Sequence, residues 1–246
     1  MVSLAALDIF FTAYSQSDFF GKLIFMGLFS LSALCWIVLI HKIWHTQKVK
    51  KISQDFQLAF AKNKANLLGL ELEELPSALH REVPHPFAHI FLSLKEKTLE
   101  VLSKNHFFAE KKEGESGVYL SPTDLELIES HVLTAVSAQT KALEKNLFIL
   151  STIATLAPFL GLLGTVWGIL ITFSELHSGA SASSNAAILG GLSTALATTV
   201  LGLVIAIPAL VSYNYLKNST KNLSSDMEDF LYRLISTIEL QYRSPH

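Results

Sequence analysis

Residues 157–173 read APFLGLLGTVWGILITF, a charge-free run that contains one proline, three glycines and two threonines. Proline and glycine are poor helix formers, so anchoring in lipid does not by itself call for them. Their spacing does explain them. Ser151, Thr155, Pro158, Gly161, Thr165, Gly168 and Thr172 follow one another by threes and fours, which places them along one face of a helix. A second apolar run repeats the device with Gly191, Ala195, Thr198 or Thr199, Gly202 and Ala206, and Gly164 and Pro208 belong to the same two blocks. Small-residue faces let helix backbones approach closely, a main route to helix association in lipid. Pro158, Gly161, Gly164, Gly168, Gly191, Ala195, Gly202, Ala206 and Pro208 are therefore read as a packing face. Packing of the two spans against each other within one chain is a sufficient explanation of such faces, and threonine hydroxyls can bond to their own helix or to backbone groups freed near Pro158.

The rest of the chain agrees with a membrane protein. Half of its 246 residues are hydrophobic and 16% are charged, and the charges are segregated. Residues 23–40 carry no formal charge between Lys22 and His41, residues 147–173 carry none, and residues 176–216 contain no Asp, Glu, Lys or Arg. The second run, at about 1.5 Å per residue, is roughly 40 Å long, more than a bilayer core needs. Fourteen of the nineteen Lys and Arg residues fall between His41 and Asn146 and four follow Leu216, whereas residues 174–185 have none. Basic flanks stay cytoplasmic, so the N-terminus and that short loop are expected outside and the middle region and tail inside. A net charge of −2 gives nucleic acid no basic surface to bind.

The expected organisation is an external segment with an interfacial helix over 1–22, a transmembrane helix over 23–40 and a cytoplasmic helical region over 41–146. A second span over 147–173, a short external loop over 174–185, a third span over 186–213 and a cytoplasmic helix over 214–246 complete it. The first span has no basic leader and no small-residue cleavage site after it, so it reads as a retained anchor, with the lone Cys35 buried inside it. Leu4, Leu7, Phe11 and Tyr14 have the spacing of an interfacial helix. Val49, Ile52, Phe56 and Phe60 continue the first helix as an apolar stripe, and the tail has one through Leu216, Leu223, Met227, Phe230, Leu234 and Ile238. Ser121, Pro122 and Asp124 read as N-cap, first helical residue and capping-box acid, opening a helix expected to run some fifty residues into the second span. No β-patterned run is evident, and the fold class is an all-α integral membrane protein with three transmembrane helices and long cytoplasmic helical extensions.

Neither the second nor the third span contains an Asp, Glu, His, Lys or Arg. The chain thus has no titratable group there to carry a proton, and any carboxylate on an ion path along these faces has to come from another polypeptide.

With that, the two blocks APFLGLLGTVWGILITF and GGLSTALATTVLGLVIAIPALVSYNYL resemble the paired signature of the TolQ/ExbB/MotA proton-channel family, over about sixty residues from Thr155 to Leu216. The resemblance implies a homo-pentameric ring in a bacterial inner membrane whose second and third spans line a pore. That pore encloses the single spans of a TolR/ExbD-type partner, each bearing a membrane aspartate, and a TolA/TonB-type protein is a further implied partner. By motif position Thr165 and Thr199 would line the proton path and face that aspartate. Where TolQ and ExbB usually carry a glutamate at the start of the third span, this chain has Thr194. The N-terminal segment looks more like TolQ, whose role is envelope maintenance and division. An ExbB-like energiser of outer-membrane uptake and a non-conducting membrane scaffold are the alternatives.

Other chemistry has little support. His80, His85 and His89 are interrupted by Pro84 and Pro86 and no Cys or carboxylate cluster completes a metal site. GLLG is followed by no phosphate-loop lysine and no nucleophile–base–acid set occurs, so neither an enzyme nor a cofactor is expected.

Overall fold

Charge segregation and helical periodicity translate into five long helices, α1 Phe19–Lys62, α2 Pro86–Glu110, α3 Pro122–Glu144, α4 Leu147–His177 and α5 Asn185–Tyr242. The structure is a computed structural model and describes residues 10–62, 85–110, 119–177 and 185–242. A short helical segment over residues 10–16 precedes α1, and every regular element among the described residues is helical. Leu4, Leu7 and His80 lie outside the described residues. Three of the helices, α1, α4 and α5, are long and apolar enough to cross a membrane.

The chain divides into two compact units. The first comprises residues 1–42 and 146–216, hence the N-terminal segment, α1 through Lys42, α4 and α5 through Leu216. Phe25 is fully buried and packs with Ala13 and Ala197, with Tyr14 edge-on to its ring at 6.1 Å. Met26, Trp36, Ile37, Ile40, Phe159, Leu170, Val204, Ile207 and Val211 are exposed around this unit. In water so many exposed large apolar side chains would be an aggregation liability; on membrane helices they are the surface offered to lipid or to other helices.

The second unit comprises residues 43–145 and 217–246. Here the stripes find their partners. Val49 and Phe56 of α1, Phe87, Ile90, Phe91 and Leu94 of α2, Ile128, Val132 and Val136 of α3, and Leu223, Met227, Phe230, Leu234 and Ile238 of α5 form one buried core. Phe230 meets Phe87 at 5.3 Å and Phe56 at 6.1 Å, both edge to face. His85 is buried at the start of α2, where its Nδ1 accepts the Ala88 amide at 3.3 Å.

The start of α3 follows the sequence closely. The Ser121 hydroxyl accepts the Asp124 amide at 3.2 Å, the Asp124 carboxylate accepts the Ser121 amide at 3.0 Å, and Pro122 opens the helix. Burial pushes the Asp124 carboxyl up, but hydrogen bonds from Ser121 and Asn105 outweigh it and hold the group below its ordinary value. A depressed carboxyl stabilises the fold above its unfolded value, and that contribution is lost as pH falls through the folded one. Asp124→Asn is therefore expected to lower the thermal midpoint at neutral pH, by an amount reflecting about 1 kcal/mol for the lost cap. The gap to wild type should close as the solution is acidified. A gap of constant size across that pH range would remove the carboxylate from the capping box.

One expectation is corrected. The helix beginning at Pro122 does not run unbroken into the second span. It ends at Glu144, and Asn146 takes a left-handed backbone with φ 69° before α4 starts at Leu147. Asn is among the few residues that adopt this conformation readily, and it breaks the helix without proline or glycine. By contrast α4 continues through Pro158 and α5 through Pro208.

Candidate functional site

The two small-residue faces meet in the first unit. A Cβ on Gly202 would lie 2.5 Å from the Ala157 carbonyl oxygen, and one on Gly161 would lie 2.8 Å from the Thr198 carbonyl and 2.9 Å from the Thr199 Cα. Gly164 sits against the Thr198 side chain, Gly168 against Ala195, and Gly191 against Thr172. As α4 numbers rise their α5 partners fall, so the helices pack antiparallel, with backbone against backbone at Gly161 and Gly202. Ala206 is buried, and Pro158 and Pro208 are half-buried within their helices.

This closeness brings threonines together. Thr165 and Thr199, half-buried on opposite helices, are hydrogen-bonded hydroxyl to hydroxyl, and either oxygen can be the donor. Thr199 also reaches the Gly161 carbonyl at 3.0 Å, and Thr165 the carbonyls of Gly161 and Ala195, each at 3.2 Å. The adjacent Thr198 is buried and bonds to the Ala195 carbonyl at 2.6 Å and to Gly161 at 3.1 Å. Sequence periodicity left Thr198 and Thr199 as alternatives on this face; with no Cβ on Gly161, both touch α4.

Counting protons shows what the cluster can do. Three hydroxyls hold three protons, each able to donate one and accept two hydrogen bonds. The Thr198 proton goes to Ala195, its nearest carbonyl. If Thr199 donates to Gly161, then Thr165 donates to Thr199; in the reverse polarity Thr165 donates to Gly161 and Thr199 to Thr165. In both states every proton is committed inside the cluster and a threonine oxygen of the pair keeps its lone pairs. In these arrangements the pair presents open lone pairs, and a hydroxyl that turns away from its carbonyl can donate instead. The site suits a water, a hydronium or a carboxyl group.

Thr194 does not join this cluster. Its hydroxyl donates to the Gly190 carbonyl at 2.9 Å, and its side chain lines a cavity together with Asp18 and Trp167. Thr155 bonds only within α4, to the carbonyls of Ser151 and Thr152. Sequence reasoning missed Asp18. Its carboxylate accepts the Trp167 indole N–H at 3.0 Å and the Gly21 amide at 2.9 Å, while Phe20 packs on the Trp167 ring at 4.5 Å. Burial raises the Asp18 carboxyl, but these hydrogen bonds prevail and hold it below its ordinary value. The available signal was an acid placed just before an apolar span.

Comparison with known proteins matches residues 102–229 to the MotA/TolQ/ExbB proton channel family. The chain is 28% identical over 223 residues to the biopolymer transport protein ExbB of Xanthomonas campestris pv. campestris, spanning 89% of this chain and 82% of that one. It is 41% identical over 108 residues to the biopolymer transport protein ExbB of Helicobacter pylori, covering 44% of this chain and 70% of the relative. With the Tol-Pal system protein TolQ of Haemophilus influenzae it shares 33% over 114 residues, 46% of this chain and 50% of that one.

Proposed function

Because the chain belongs to the MotA/TolQ/ExbB proton channel family, we propose that it is the ring-forming subunit of a proton-motive-force-driven motor, a homo-pentamer in a bacterial inner membrane. It conducts protons together with a single-span TolR/ExbD-type partner that carries a membrane aspartate. The N-terminus is periplasmic and the C-terminus cytoplasmic, in keeping with the clustering of Lys and Arg. The observation that carries this reading is the Thr165–Thr199 pair, a hydroxyl cluster on two spans that have no titratable side chain of their own.

The open lone pairs of the cluster give the reading a direction. A protonated aspartic acid on the partner donates its O–H to Thr165 or Thr199. Once it loses its proton, the carboxylate has to draw a hydroxyl away from its backbone carbonyl to be held there, so its preferred position on the ring changes. Protonation thereby changes which surface of the ring the partner prefers, and successive protons bias the movement of one against the other. The work is delivered to the cell envelope, through a TolA/TonB-type protein.

The similarity to a biopolymer transport protein ExbB over most of both chains favours energising transport across the outer membrane. The TolQ-like role in envelope maintenance and division is the second reading, supported by the N-terminal segment and by the TolQ relative.

The test uses liposomes with an imposed proton gradient and compares the chain alone, the partner alone and both together. Flux is expected only from the pair, and is expected to vanish when the partner's membrane aspartate is changed to asparagine. Flux through the chain alone, or flux indifferent to that aspartate, would overturn the reading.

A further inference from the structure

The N-terminal segment, the first turn of α1, α4 and α5 of the first unit line an open-sided cavity of about 450 Å³. Asp18 on its wall is exposed and Thr198 on its wall is buried, so the space reaches from an exposed acidic residue to the neighbour of Thr199. The wall also carries Gln16, Thr172 and Thr194. An apolar cavity of this size would stay dry, but a space lined by an amide, hydroxyls and a carboxylate holds water, and at about 30 Å³ each it has room for roughly fifteen molecules.

We infer that this cavity is an aqueous vestibule that gathers hydronium for the threonine pair, with Asp18 as a fixed negative charge at its mouth. Among the described side chains of this unit, Asp18 has the only carboxylate; the basic groups are Lys22 one turn further along α1 and His41 and Lys42 at the far end of that segment, with His177 at the end of α4. The Trp167 indole and the Gly21 amide aim the carboxylate and satisfy one oxygen each. Held below the usual carboxylate range, the group stays ionised at neutral pH and acts by attracting cations, not by storing the proton. A charge at the mouth of a narrow, low-dielectric cleft raises the local concentration of the opposite charge. Asp18 lies outside the segment matched to the family, residues 102–229.

The identity of the cation rests on the proton-channel reading; the polarity of the vestibule does not, and the experiment separates the two. Thr194→Cys, in a Cys35→Ser background and reconstituted in liposomes, is treated with thiosulfonate reagents that carry either a trimethylammonium or a sulfonate group. The cationic reagent is expected to react about fivefold faster at low salt, with the preference falling towards unity on adding Asp18→Asn and, in the parent, on raising the salt. Gly190→Cys provides a second site, since a Cβ there meets only Gln16 Oε1 at 3.5 Å. Failure of both cysteines to react, or a cation preference that survives Asp18→Asn, would overturn the vestibule. Neither partner nor proton flux enters the measurement, so that failure would leave the proton-channel reading standing. Absence of partner-dependent flux beside normal labelling would do the reverse.

Discussion

Gly202→Val is expected to abolish the assembled first unit. The added Cβ would lie 2.5 Å from the Ala157 carbonyl oxygen, 3.2 Å from its carbon and 3.3 Å from the Gly161 Cα. All three are backbone atoms of α4, so no side chain can swing aside and the helices have to separate. Separation also breaks the hydrogen bonds from Thr198 and Thr199 to the Gly161 carbonyl. Overpacking of this kind costs on the order of 3 kcal/mol, and β-branching adds the rigidity of a fixed side chain. Gly27→Ala is the comparison, because a Cβ there meets nothing within 4 Å. That change should be neutral or stabilise the helix by up to about 1 kcal/mol. Thermal unfolding in detergent, followed by tryptophan fluorescence, distinguishes them; equal midpoints for the two variants would show that the Gly161–Gly202 contact does not hold these helices together.

Thr165→Val is expected to cut partner-dependent proton flux several-fold while leaving the fold intact. Valine nearly matches threonine in shape, and Gly161 keeps its bonds from Thr198 and Thr199. What disappears is one of the two oxygens that take the proton donor. The Thr199 oxygen remains as the other acceptor, so the change weakens the acid's hydrogen bonding by about 1 kcal/mol, roughly a five- to tenfold fall in rate. Thr165→Ser restores the hydroxyl and should restore most of the flux. Equal flux from the valine and serine variants would make Thr165 a packing residue and nothing more.

Much of this architecture was legible in the sequence because it rests on short-range periodicity. Small residues at threes and fours marked the meeting face of α4 and α5, and Ser121, Pro122 and Asp124 marked the start of α3. The tail stripe from Leu223 to Ile238 demanded a partner surface and has one among Phe56, Phe87 and Phe91. Two features were not legible, for different reasons. The break before α4 depends on one left-handed residue, Asn146, and asparagine signals a stop far more weakly than glycine or proline. The Asp18–Trp167 hydrogen bond joins residues 149 positions apart, and no local pattern encodes such a pairing. The threonine pair stands between these cases. Spacing put Thr165 on one small-residue face and Thr198 or Thr199 on the other, and motif position chose Thr199, but their hydrogen bond, and the way Thr198 shares their acceptors, follow from the backbone approach that Gly161 permits.

The central claim is that the hydroxyl of Thr199 belongs to the proton path and is not only a packing group. Thr155 lies on the same small-residue face of α4 as Thr165 and bonds solely to carbonyls of its own helix. Partner-dependent proton flux into liposomes should therefore be measured for Thr199→Val and Thr155→Val side by side under one imposed gradient. The account predicts flux lost in the first and kept in the second, with both proteins assembled. Flux that persists in Thr199→Val, or falls equally in both, would contradict it.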